Sequence, residues 1–172
     1  MVYNLVDREL ITYLINARNL IHLDVSSSYR ITNKSIQTIA KHQPYLRTLN
    51  IQACNSLTDL SLAVIATHCG SRLEILYTNI REACCATELI VKNFSLNCTR
   101  ITCLNIVCDF LLCSTTCASS LLTECPALRT LVINKEENIS LTTRELSAIV
   151  KPELKILEHD ASTVYDVLTL PV

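Results

Sequence analysis

The chain is 172 residues long, 49% hydrophobic and 18% charged, enough for one compact domain or for a short repeat array whose core grows with each unit. Its 15 Lys and Arg against 16 Asp and Glu create no general field that would draw nucleic acid or anionic lipid, so neither is an expected partner. Ten cysteines behind an N-terminus, MVYNLVDREL, with no basic start and no apolar stretch of signal length predict free thiols in a reducing, intracellular setting, cytoplasmic or nuclear.

From Leu5, the segment LVDRELITYLINARNL superimposes on ITNKSIQTIAKHQPYL from Ile31, so residues 1–19 read as the helical half of a unit, or a cap. The first strand follows as LIHLDV from Leu20. The same apolar-x-x-apolar-x-apolar pattern returns as LRTLNI from Leu46, LEILYT from Leu73, ITCLNI from Ile101, LRTLVI from Leu128 and LKILEH from Leu154, at intervals of 26, 27, 28, 27 and 26 residues. Thr78 and His159 stand where the last apolar residue belongs in the third and sixth copies.

Between strands, ITNKSIQTIA, LTDLSLAVIA and LTTRELSAIV align Thr32, Thr58 and Thr142 as helix starts, each with an apolar stripe behind it; Thr142 with Glu145 also fits a capping box. The segment from Glu82 to Ser95 matches this helical half loosely. Pro44, Pro126 and Pro152 each lie two residues ahead of a strand leucine, where proline stops a helix and begins extended chain. His42 and His68 hold helix-end positions, where an imidazole commonly caps carbonyls.

A unit of short strand, turn and helix cannot bury its apolar face alone, so neighbours must stack. The expectation is an α/β, right-handed solenoid over residues 20–160, with parallel strands concave, helices convex, and a C-terminal cap over 161–172. The units resemble leucine-rich repeats of the cysteine-containing subfamily, most clearly from Leu46 to Cys69, where Cys54 and Cys69 fall at the family's two cysteine positions. Ser28, Arg81, Asp109 and Glu136 depart from the pattern at the position of Cys54. The resemblance implies a short horseshoe used for protein recognition, similar to F-box substrate receptors of SCF ubiquitin ligases or to the antagonist-of-mitotic-exit-network group. The four residues ahead of Leu5 do not hold an F-box.

Chemical motifs are sparse. Cys98, Cys103, Cys108, Cys113 and Cys117 follow one another without the paired spacing of a zinc site, and read as buried core thiols with no metal. Vicinal Cys84 and Cys85 have only Arg81 nearby to activate them. A single glycine, Gly70, and four histidines without a nucleophile motif predict no enzyme and no cofactor. The stretch from Ile101 to Thr123 carries one charge, Asp109, but its Ser, Thr, Asn and Cys content is unlike a membrane helix.

Activity is therefore expected on the outward strand positions. The candidate protein-binding residues are Asp24, Asn50, Gln52, Ile75, Tyr77, Asn79, Asn105, Val107, Val132, Asn134 and Glu158, with Tyr77 near the centre as an amphipathic anchor. An assembly factor that docks or oligomerises through open sheet edges is the competing expectation.

Overall fold

The computed structural model describes residues 5–78, 88–106, 120, 122–134 and 154–159. The architecture is α/β. Helix α1 (Asp7–Asn16) leads into β1 (His22–Asp24), α2 (Asn33–His42), β2 (Thr48–Ile51), α3 (Asp59–Cys69), β3 (Ile75–Thr78), α4 (Glu88–Asn97) and β4 (Cys103–Ile106), followed by β5 (Thr130–Asn134) and β6 (Lys155–His159). The strands form one six-stranded sheet in chain order. Every pairing is parallel. Consecutive helices pack on one another as consecutive strands do, so α1, α2, α3 and α4 make a second layer.

Register puts like residues side by side. Leu23, Leu49, Leu76, Leu104 and Leu131 are mutual partners across five strands, and all are buried. A second aliphatic column, Leu46, Leu73, Ile101, Leu128 and Leu154, precedes the strands and is equally enclosed. Each such side chain stabilises the fold by about 1.5 to 3 kcal/mol over its exposed state. From the helices, Leu10, Leu14, Ile36, Ile39, Leu62 and Ile65 face this core at helical spacing.

At β6 the register moves by one residue. Lys155 lies opposite Thr130, Ile156 opposite Leu131 and Glu158 opposite Ile133, whereas the repeat pattern places Leu157 beside Leu131. Ile156 and Leu157 are adjacent aliphatics, either able to continue the column, so apolar pattern does not choose between them. Glu158, which the repeat pattern places beside Val132, is thus paired by register with Ile133.

Helix starts are joined from unit to unit. Asp7 Oδ1 accepts from Thr32 N–H at 2.7 Å and from Ser35 Oγ at 2.6 Å, while Oδ2 accepts from Thr32 Oγ1 at 2.6 Å. Burial alone would raise this carboxyl; the hydrogen bonds from Ser35 and Thr32, helped by Lys34, hold it below its ordinary 3.8. Asn33 does the same for the next helix, accepting from Thr58 N–H at 3.2 Å and from Ser61 Oγ, and donating to Thr58 Oγ1 at 2.9 Å. Thr32 caps α2 as expected, accepting from Lys34 N–H at 3.3 Å. Thr58 makes no such bond to α3, its hydroxyl being taken by Asn33. Thr142 and Glu145 lie outside the described residues.

Helix ends use long side chains, and not the histidines the sequence suggested. Gln43, fully buried, donates to the carbonyls of Leu14 at 2.8 Å and Ala17 at 2.7 Å, and accepts from Leu20 N–H at 3.4 Å. Arg72 donates to Ala40 O at 3.1 Å, at the end of α2, and to His68 O, at the end of α3. These bonds satisfy carbonyls that a helix terminus leaves open.

Candidate functional site

The sheet face opposite the leucine column carries two rows of residues. Register aligns Asp24, Asn50, Tyr77, Asn105 and Val132 in one row, and His22, Thr48, Ile75, Cys103, Thr130 and Lys155 in the other. Alternation along a strand sends both rows to the same side. The sequence-predicted positions Asp24, Asn50, Ile75, Tyr77, Asn105 and Val132 are therefore brought together. Asn134 closes β5. Asn79 and Val107 lie outside the described residues.

Exposure divides the set. Asp24 is exposed, and Ile75 and Tyr77 are half-buried. Asn50, Gln52 and Asn105, expected to face outward, are buried, at 5%, 9% and 0% exposure. For Asn50 the cause is local: its Oδ1 accepts from Gln52 N–H at 3.1 Å and its amide donates to Asp24 Oδ2 at 3.2 Å, so the side chain lies along the strand end. Asp24 turns the same way, accepting from Ser26 N–H at 2.9 Å. Beyond these turns Ser27 and Ala53 adopt positive φ, 60° and 54°, at equivalent positions in two units.

Asn105 behaves differently. Its amide nitrogen and oxygen are both buried and, among the described residues, both without a hydrogen-bond partner. Where Asn50 has the Asp24 carboxylate beside it, the row neighbours of Asn105 are Tyr77 and Val132, and valine offers no polar atom. A buried amide left unpaired costs about 1 to 3 kcal/mol of desolvation. Beside it, burial pushes the Tyr77 hydroxyl up to about 12, and the neighbouring Cys103 thiol adds to the rise.

Four of the five described thiols are core residues: Cys54, Cys69, Cys98 and Cys125 are buried, and Cys103 is half-buried. Cys54 donates to Val25 O at 3.2 Å in the preceding unit. Burial raises its pKa to about 11; burial also raises Cys98, with Cys125 and Cys69 adding as neighbours. Such thiols are poor nucleophiles at neutral pH. Among the described residues no group of three or more His, Cys, Asp or Glu is placed to hold a metal. Cys84, Cys85, Cys108, Cys113 and Cys117 lie outside them. Among the described residues, too, no helix is long and apolar enough to cross a membrane.

Three contributors escaped the sequence reading: Gln43, Arg72 and the unpaired state of Asn105. Gln43 did leave a signal, since a long amide stands three residues before a strand leucine where other units have Gly70, Cys98 and Cys125. No protein-family model matches the chain, and no curated protein matches it either.

Proposed function

We propose that the chain is a short leucine-rich-repeat solenoid of the cysteine-containing kind, working as a protein-recognition module through the outer face of its sheet. The in-register strands, the helix-start bonds repeated at Asp7 and Asn33, and the Cys54 thiol bonded to the preceding unit support the solenoid. The observation that carries recognition is half-buried Tyr77 at the middle of that face, in register with Asn50 and Asn105 and on the same strand as half-buried Ile75. A large amphipathic ring, part exposed at the centre of a sheet face, is the usual make-up of an interface anchor. No catalytic step and no cofactor enter this reading.

The likeness to F-box receptors extends it to a substrate-receptor or adaptor role beside an SCF-type ubiquitin ligase. The test is quantitative affinity purification of tagged protein from its own cells beside Tyr77→Ala and Tyr77→Ala, Asn105→Ala, Val132→Ala variants of confirmed folding. Ligase adaptor and cullin subunits retained by all forms, with other partners lost from the variants, support a receptor. Absence of ligase subunits removes the ubiquitin link, and partners unaffected by the variants remove the sheet face.

A second reading is assembly through sheet edges, favoured by β1 and β6 each pairing on one side only among the described residues. Mass in solution that rises with concentration would support it; a constant monomer would exclude it.

A further inference from the structure

The starts of the strands form an edge that meets the face just described at Lys155. One residue per strand, directly after the leading aliphatic, is linked to the next by a backbone hydrogen bond. Glu74 N–H donates to Arg47 O, Thr102 N–H to Glu74 O, Arg129 N–H to Thr102 O and Lys155 N–H to Arg129 O, at 2.7 to 2.8 Å. With strands about 4.8 Å apart, Arg47 and Lys155 lie roughly 19 Å from each other along this line. Arg100 joins it from just before β4, where its guanidinium donates to Glu74 Oε1 at 2.9 Å.

Among the described residues Glu74 is the one carboxylate along this line, and it is shared by Arg47 and Arg100. Four cations, Arg47, Arg100, Arg129 and Lys155, thus face one anion, a surplus of 4 − 1 = 3 on a chain whose formal net charge is −1. All four are exposed. Cations near helix ends ordinarily answer the helix dipole, and Arg72 does so through its bonds to Ala40 and His68 carbonyls. Arg129 differs: its guanidinium makes two contacts of 3.4 Å to the carbonyls of Pro126 and Leu128. Arg129 and Lys155 stand at the starts of adjacent strands, Lys155 opposite the residue that follows Arg129, and among the described residues neither has a carboxylate within ion-pair distance.

We infer that this edge, at the starts of β4, β5 and β6, binds an acidic peptide segment in extended conformation. Alternate side chains of an extended peptide recur about every 6.8 Å, against about 4.8 Å between strands, a difference that the long, flexible Arg and Lys side chains can span so that carboxylates meet Arg100, Arg129 and Lys155 in turn. Arginine's planar fork suits a carboxylate. A nucleic-acid backbone is disfavoured because its charge is continuous and would run against Glu74, whereas a peptide can place an uncharged residue there. The inference uses none of the residues that carry recognition by the sheet face and stands without it.

The experiment is fluorescence anisotropy on the full chain. Three labelled probes are compared: a dodecapeptide alternating Glu with Ser, the same peptide with Gln for Glu, and a single-stranded DNA of equal length. The acidic peptide is expected to bind, weakening as salt is raised, and Arg129→Glu with Lys155→Glu should weaken it by about tenfold or more. Lys34→Glu, an exposed cation at the start of α2, should leave it unchanged. Melting curves establish that each variant is folded. Failure of the acidic peptide to bind, equal binding by the Gln peptide, or equal binding by the double variant would overturn the proposal. Tighter binding of the DNA would replace the peptide with nucleic acid.

Discussion

Asn33 does for α3 what Asp7, 26 residues earlier, does for α2: each reaches forward from the first turn of its own helix to the backbone N–H and hydroxyl that open the next. The two differ in one titratable proton, which makes the pair testable by pH. Asp7 has a lowered folded pKa, so its stabilisation is present above the unfolded value of 3.8 and disappears as pH falls through the folded value. Asp7→Ala should cost about 1 to 3 kcal/mol at neutral pH. In denaturant titrations that cost should shrink below pH 3.8, while the cost of Asn33→Ala should keep no such dependence.

Gly70→Ala should destabilise the protein although Gly70 has ordinary helical φ, −53°. An added Cβ would stand 2.5 Å from Ala66 O and 2.9 Å from both Asn97 O and Cys98 Sγ, so the cause is space and not backbone freedom. Overpacking of this kind costs roughly 1 to 3 kcal/mol, readable as a lowered Tm. Pairing it with Cys98→Ala should recover less than the full loss, because both backbone oxygens remain in the way.

Arg72→Ala should lower stability by about 1 to 3 kcal/mol, since it leaves the carbonyls of Ala40 and His68 without their guanidinium. Hydrogen exchange should rise at the ends of α2 and α3 together. Exchange confined to α3 would show that the longer bond to Ala40 contributes nothing.

Tyr77 should be among the last tyrosines to ionise. Its folded pKa is raised, to about 12 from 10, by burial first and by Cys103 second. The unfolded chain therefore loses this proton first, and stability falls as pH rises through that interval. Ultraviolet titration should lose its highest step in Tyr77→Phe, and Cys103→Ser should move that step.

Much of the architecture was legible because two periodicities coexist at a fixed interval. Leu46, Leu49 and Ile51 alternate as a strand does, while Ile36 and Ile39 recur as on a helix. Face assignment was weaker where a side chain had a local alternative. Asn50 looked outward by alternation, yet its amide found Asp24 and the Gln52 N–H, a competition that propensity does not register. The slip at β6 was invisible because Ile156 and Leu157 are equally good fillers. Gln43 and Arg72 were missed because the acceptors that tie them to another helix or its end lie 26 to 32 residues away. For the histidines, a generic preference gave way to longer side chains that reach two helices at once.

The side-chain bonds that tie one element to another, among them Asp7 to Thr32, Gln43 to Leu14, Asn50 to Asp24, Cys54 to Val25 and Arg72 to Ala40, span between 23 and 32 residues. Among the described residues each such bond links neighbouring elements, as the packing of helices and strands does. Damage to one link is felt as a local weakening that fades with distance, much as a missing stair affects the steps beside it. If the chain is the solenoid proposed above, opening should advance by whole units, and a partner clasping two adjacent units should stiffen those two while leaving distant ones as they were.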